Sequence, residues 1–188
     1  MRAIIEAIRA GDLDAEARMA VSNNGDCPAL QFAEAQGVAT RHISATTEGS
    51  ADAADAAMAD AMSAAGAELI VLSGYMRKLG PQMLQRFAGR ILNIHPALLP
   101  RHGGQGLYGR RVHDAVKAAG EMVSGATVHV ADGDYDTGPI LAQRRVALDP
   151  RDSAEDIERK VMAVEPALFV QTLGGIASGT LTLPDPVQ

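Results

Sequence analysis

The stretch Ile91-Leu92-Asn93-Ile94-His95-Pro96-Ala97-Leu98-Leu99-Pro100 places an Asn and a His two residues apart in an apolar run, then stops that run with a proline. Residues i and i+2 of a strand project from the same face, so the Asn93 amide and the His95 imidazole are expected side by side. Pro96 cannot donate a ladder hydrogen bond and biases the residue before it, so the strand should end at His95. Two polar groups then stand at the C-terminal end of a strand, where open α/β sheets bind ligands. The spacing alone is equally compatible with an ordinary strand-to-loop junction.

Outward from this stretch, short apolar runs alternate with helical patterns. Strands are predicted over residues 18–22, 38–43, 69–73, 90–95, 124–130 and 139–145. Helices are predicted over 2–10, 28–36, 51–65, 81–87, 111–119 and, as one long helix, 152–173. Residues 44–50 read as a polar loop, 100–108 as a Gly-rich loop, and 180–188 as a short tail with two prolines. The alternation implies an α/β fold with a doubly wound, mainly parallel sheet, in one domain over residues 1–188.

Composition narrows the function. Apolar residues make up 47% of the 188 and charged residues 21%, enough for a sizeable core. Aromatics are only 3% and Trp is absent, so aliphatic residues and Met must fill that core. A formal net charge of −6 argues against a nucleic-acid binder that works through a broad basic surface. The single Cys27 excludes an internal disulfide framework and a multi-Cys metal site, and it fits a reducing cytoplasm. No apolar run is long enough to span a membrane, and no signal-peptide progression opens the chain.

Further clusters carry candidate chemistry. Asp132, Asp134 and Asp136 fall in one loop between two predicted strands. The cluster reads as a solvated acidic loop, or as a loop that turns one acid toward His95, where a carboxylate would favour the imidazolium. The acids lack a calcium-loop spacing, so no metal is expected. Gly74, after a buried strand, lets backbone approach a ligand, and Met76, Arg77 and Leu79 could line a slot for a flat heterocycle. Gly103-Gly104-Gln105-Gly106 matches no phosphate-loop pattern and reads as a mobile, substrate-shaping loop. His42, His102 and His113 read as ordinary, and His129 as either a core histidine or a support for the acidic loop.

Asn93-Ile94-His95-Pro96 with Leu98-Leu99-Pro100, followed by the Gly-containing loop and then Asp136-Thr137-Gly138-Pro139, resembles the folate-dependent formyltransferases. Leu72-Ser73-Gly74-Tyr75-Met76-Arg77, Ser22-Asn23 and Gly125-Ala126-Thr127-Val128-His129 extend the resemblance over nearly the whole chain. Within the family, the pattern is most similar to the branch that formylates glycinamide ribonucleotide in purine synthesis. The resemblance implies transfer of a formyl group from 10-formyltetrahydrofolate to a primary amine. Asn93 would hold the formyl oxygen, His95 would act as the protonated partner of the tetrahedral intermediate, and Asp136 would pair with His95. Met76, Arg77, Lys78 and Leu79 match the pterin-binding segment, and Glu165 matches the acid that binds the ribose hydroxyls. The expected partners are these small molecules, with no nucleic acid and no membrane. A homodimer is left open.

Two departures accompany the resemblance. Met1-Arg2-Ala3-Ile4-Ile5 resembles the family's first helix, so the opening strand and its Gly-Ser-Asn phosphate loop have no counterpart here, and unpaired neighbouring sheet edges are expected. Residues 49–54 also lack the basic residue that the family places near the folate tail. Hydrolysis of 10-formyltetrahydrofolate, or a shortened homologue with impaired chemistry, stand as the alternative functions.

Overall fold

The structure is a computed structural model and describes residues 1–185. The end of the expected tail, residues 186–188, lies outside the described residues. The elements in chain order are α1 (Arg2–Ala10), β1 (Met19–Ser22), α2 (Pro28–Ala35), β2 (Ala39–His42), α3 (Ala45–Glu48), α4 (Ala51–Ala64) and β3 (Ile70–Leu72). They continue with α5 (Pro81–Arg86), β4 (Ile91–His95), α6 (Arg110–Ala118), β5 (Val123–Val130), β6 (Ile140–Ala147), α7 (Ala154–Met162) and α8 (Glu165–Ala177).

The strands form two ladders. β1 and β2 pair in parallel, and a four-stranded sheet runs β3-β4-β5-β6. β3 and β4 are parallel, as helical crossovers require, while β4–β5 and β5–β6 are antiparallel. The β5–β6 connection is the acidic loop, which carries no helix and reverses the chain directly.

Two predicted segments differ. Residues 44–50 are not all loop, because α3 forms within them: the Ser44 hydroxyl accepts from Thr47 N–H and the Thr47 hydroxyl accepts from Ser44 N–H. The long helix over 152–173 is two helices. Pro166 cannot donate an N–H to the preceding turn, so the chain ends α7 at Met162 and restarts with Glu165 and Pro166 in the first turn of α8.

The larger core lies between β4–β6 and the helices α1, α7 and α8, with Leu92, Val128, Ile157, Val161 and Phe169 buried at its centre. A second core seats α4 and α5 against β3 and β4 through Ala59, Ile70, Met83 and Ile91. Asp55, buried on α4, accepts from Gln82 N–H and Met83 N–H at 2.7 and 3.3 Å, and so caps the first turn of α5 from another helix. That contact fixes the far end of the segment from Gly74 to Gly80.

Candidate active site

β4 sits between β3 and β5, so its C-terminal residues face β5 across a fixed register. Asn93 pairs with His129 and His95 with Thr127. This register, not proximity in sequence, brings a second histidine to the Asn93–His95 pair. Asn93 Nδ2 lies 3.1 Å from His129 Nε2, while His129 Nδ1–H donates to the Val130 carbonyl at 3.0 Å. In the neutral ring Nε2 accepts one Asn93 amide hydrogen. The other amide hydrogen of Asn93 remains for a ligand.

The acidic loop turns one acid inward. Asp132 spends its carboxylate locally, on Asp134 N–H and the Thr137 hydroxyl. Asp134 is mostly exposed, 3.8 Å from Lys78. Asp136 adopts a left-handed backbone, φ 58°, which points its side chain into the site. The loop end is pinned at Gly138, where any Cβ would collide with the Val130 carbonyl. Asp136 Oδ2 lies 3.3 Å from His95 Nδ1 and accepts from Gly104 N–H at 3.0 Å. Its Oδ1 lies 3.5 Å from His129 Nε2. Burial disfavours the Asp136 charge, but the His129 and His95 rings, when protonated on the nitrogens that face it, and Gly104 N–H outweigh this and hold the carboxyl well below the usual carboxylate range. The site therefore keeps a permanent negative charge between two imidazoles.

His95 is 3% exposed, and both of its ring nitrogens are engaged. Nε2–H donates to the His102 carbonyl at 2.8 Å, and Nδ1 faces Asp136. Both partners can only accept, so the imidazolium satisfies both; in the neutral ring the shorter contact, to the carbonyl, keeps the proton on Nε2 and leaves Nδ1 as the nitrogen that gains or loses a proton.

The turn after β4 is locked from behind. The Thr127 hydroxyl donates to the Ala97 carbonyl at 2.6 Å and accepts from Leu99 N–H at 3.1 Å and Gln143 Nε2 at 2.9 Å. Thr127→Val keeps the shape but leaves a buried N–H and carbonyl unpaired. It is expected to lower stability by about 3 kcal/mol, read as a shifted urea midpoint with an unchanged slope.

The remaining expected site residues are placed as follows. Met76, Arg77 and Lys78 are exposed and line a crevice of about 810 Å³ that also reaches His42, Asp52 and Tyr135. Asn93, His95 and Asp136 do not line it. Leu79 is buried in the second core, so only its backbone can face a ligand. Glu165 starts α8 close enough to His95 for their charges to interact; burial raises its carboxyl pKa, His95 opposes this, and Glu158 adds to it. The contributions of Thr127, the His102 carbonyl and Gly104 N–H are absent from the sequence reading. His129 takes the supporting role that its strand position left open. Among the described residues no cluster of three or more His, Cys, Asp or Glu is arranged to hold a metal ion, and no helix is long and apolar enough to cross a membrane.

A family profile described as Formyl transferase matches residues 1–173. A chloroplastic phosphoribosylglycinamide formyltransferase of Arabidopsis thaliana is 36% identical over 93% of this chain, which spans 60% of that relative's length; a Vigna unguiculata counterpart is spanned over 55%. The phosphoribosylglycinamide formyltransferase of Mycobacterium tuberculosis is 38% identical over 97% of this chain and 82% of its own. The crystal structure of glycinamide ribonucleotide transformylase 1 from Symbiobacterium toebii superposes with a TM-score of 0.89 at 32% identity, covering 98% of this chain and 85% of that one.

Proposed function

We infer, because the chain belongs to the formyl transferase family, that it transfers a formyl group from 10-formyltetrahydrofolate to the primary amine of glycinamide ribonucleotide. The observation that carries this reading is the convergence of Asn93, His95 and Asp136 at one end of β4. The relatives named for this activity, with identities of 36% and 38%, support it.

In this reading the amine nitrogen attacks the formyl carbon, and the carbonyl oxygen takes up negative charge. The free Asn93 amide hydrogen and a proton on His95 Nδ1 donate to that oxygen, each contributing roughly a hundredfold in rate. The former amine must lose a proton and the folate nitrogen must gain one as its bond to the formyl carbon breaks. His95 Nδ1 and the Asp136 carboxylate, 3.3 Å apart, form the relay for that proton. No nucleophilic Ser or Cys is needed. The folate heterocycle lies along the Met76–Leu79 segment, read by backbone at Leu79, and Glu165 accepts from the ribose hydroxyls. The partners are these small molecules, in the cytoplasm.

The test uses the full chain with 10-formyltetrahydrofolate, with and without glycinamide ribonucleotide. Tetrahydrofolate is expected to form only when the amine is present. Formate release at the same rate without it would assign hydrolysis instead. Asn93→Ala is expected to lower kcat by about 100- to 1,000-fold, with KM for the folate changed by less than about threefold.

A further inference from the structure

We propose that Glu121 is a positioning residue for the His95 imidazole, acting through the backbone of His102. The proposal rests on His95 being the proton-handling group of the reaction above.

Glu121 lies in the turn between α6 and β5 and reaches back to the start of the Gly-rich loop. Its Oε1 accepts from His102 Nε2 at 3.3 Å and from Arg101 Nη1 at 3.2 Å, and its Oε2 lies 3.4 Å from the same Arg101 nitrogen. Arg101 is largely exposed, so that ion pair holds little on its own. The His102 contact is the more sheltered one, with side chains 18% and 25% exposed.

His102 and Asp136 are the non-glycine residues at positive φ among the described residues. His102, at φ 56°, stores strain that persists only where its surroundings hold it. No sheet ladder or helix includes residue 102, and Gly103 and Gly104 follow it. The clamp from Glu121 to the His102 ring supplies the hold. Its consequence appears on the main chain of the same residue, where the His102 carbonyl receives the His95 Nε2–H at 2.8 Å.

Without Glu121, His102 loses its acceptor and its backbone relaxes toward negative φ, turning the carbonyl away. The neutral His95 ring then places its proton on Nδ1 against Asp136, the position that the reaction needs to load and unload. Substrate binding, which uses other groups, stays intact while turnover falls.

The experiment compares Glu121→Ala, Glu121→Gln, His102→Ala and the Glu121→Ala/His102→Ala double variant with the wild-type chain. The 15N signals of the ring nitrogens are recorded with the histidines neutral, above about pH 8, and five histidines make assignment tractable. Wild type is expected to show His95 as the Nε2–H tautomer and Glu121→Ala a shift toward Nδ1–H, with Gln, which keeps an acceptor oxygen, close to wild type. Glu121→Ala is expected to lower kcat about tenfold with both KM values within about twofold. The double variant should be no worse than His102→Ala alone. An unchanged His95 tautomer in Glu121→Ala, or fully multiplying defects in the double variant, overturns the proposal. Absence of formyl transfer in the wild type would overturn the functional reading, while the tautomer comparison would still decide the clamp.

Discussion

Turnover of His95→Ala is expected to fall by about three orders of magnitude, with KM for either substrate within about threefold. The substitution removes the Nδ1 that faces Asp136 at 3.3 Å and the Nε2–H that fills the His102 carbonyl at 2.8 Å. The intermediate loses a donor and the departing folate nitrogen loses its proton source. A thousandfold loss corresponds to about 4 kcal/mol of transition-state stabilisation, a magnitude that one hydrogen bond to a neutral carbonyl does not reach. The ground state is expected to lose little, because the proposed function assigns the folate and ribose contacts to other residues. Steady-state kinetics check the split, with circular dichroism and melting as a control for folding. A His95→Ala enzyme with near-normal kcat would remove His95 from the reaction.

Asp136→Asn is expected to lower kcat by about a hundredfold or more, since the carboxylate that faces His95 Nδ1 at 3.3 Å and takes part in the proton relay is gone. Asn is the informative substitution because it tolerates the left-handed backbone at φ 58° and keeps an acceptor oxygen for Gly104 N–H. Stability gives a second reading. The folded-state carboxyl titrates below its unfolded value, so the stability it contributes is fully present above about pH 4 and is lost as pH falls through the folded value. The deficit of Asp136→Asn relative to wild type is therefore expected to be largest at neutral pH and to shrink in acid. A constant deficit, or an unchanged kcat, would remove the ion pair from the corresponding role.

The Asn93–His95 half of the site is legible in the sequence because it obeys local rules: a period of two, an apolar run and a proline stop. Asp136 is not legible that way. Three acids share one loop, and what separates them is that Asp132 closes a turn on Asp134 and Thr137, Asp134 meets solvent and Lys78, and Asp136 is turned inward by one backbone torsion. Only the family resemblance selects it in advance. The main-chain atoms that hold His95 and Asp136, the His102 carbonyl and Gly104 N–H respectively, are not displayed by a string of side-chain names. His129 reaches Asn93 through antiparallel register, a relation across 36 residues. Pro166 marks the break between α7 and α8 in the sequence, while the helix within residues 44–50 depends on a Ser44–Thr47 capping pair inside an otherwise loop-like composition.

The halves of the site differ in how they are held. Asn93 and His95 ride on a strand hydrogen-bonded on both sides and backed by buried Ile91 and Leu92. Their neighbouring amides should exchange with solvent deuterium only through whole-molecule unfolding. Asp136 rides on a loop whose other acids face water, so that loop can open on its own and carry the counter-charge away while the fold stands. On warming, the proposed activity should be lost reversibly before the cooperative melt, switched off by a small local opening.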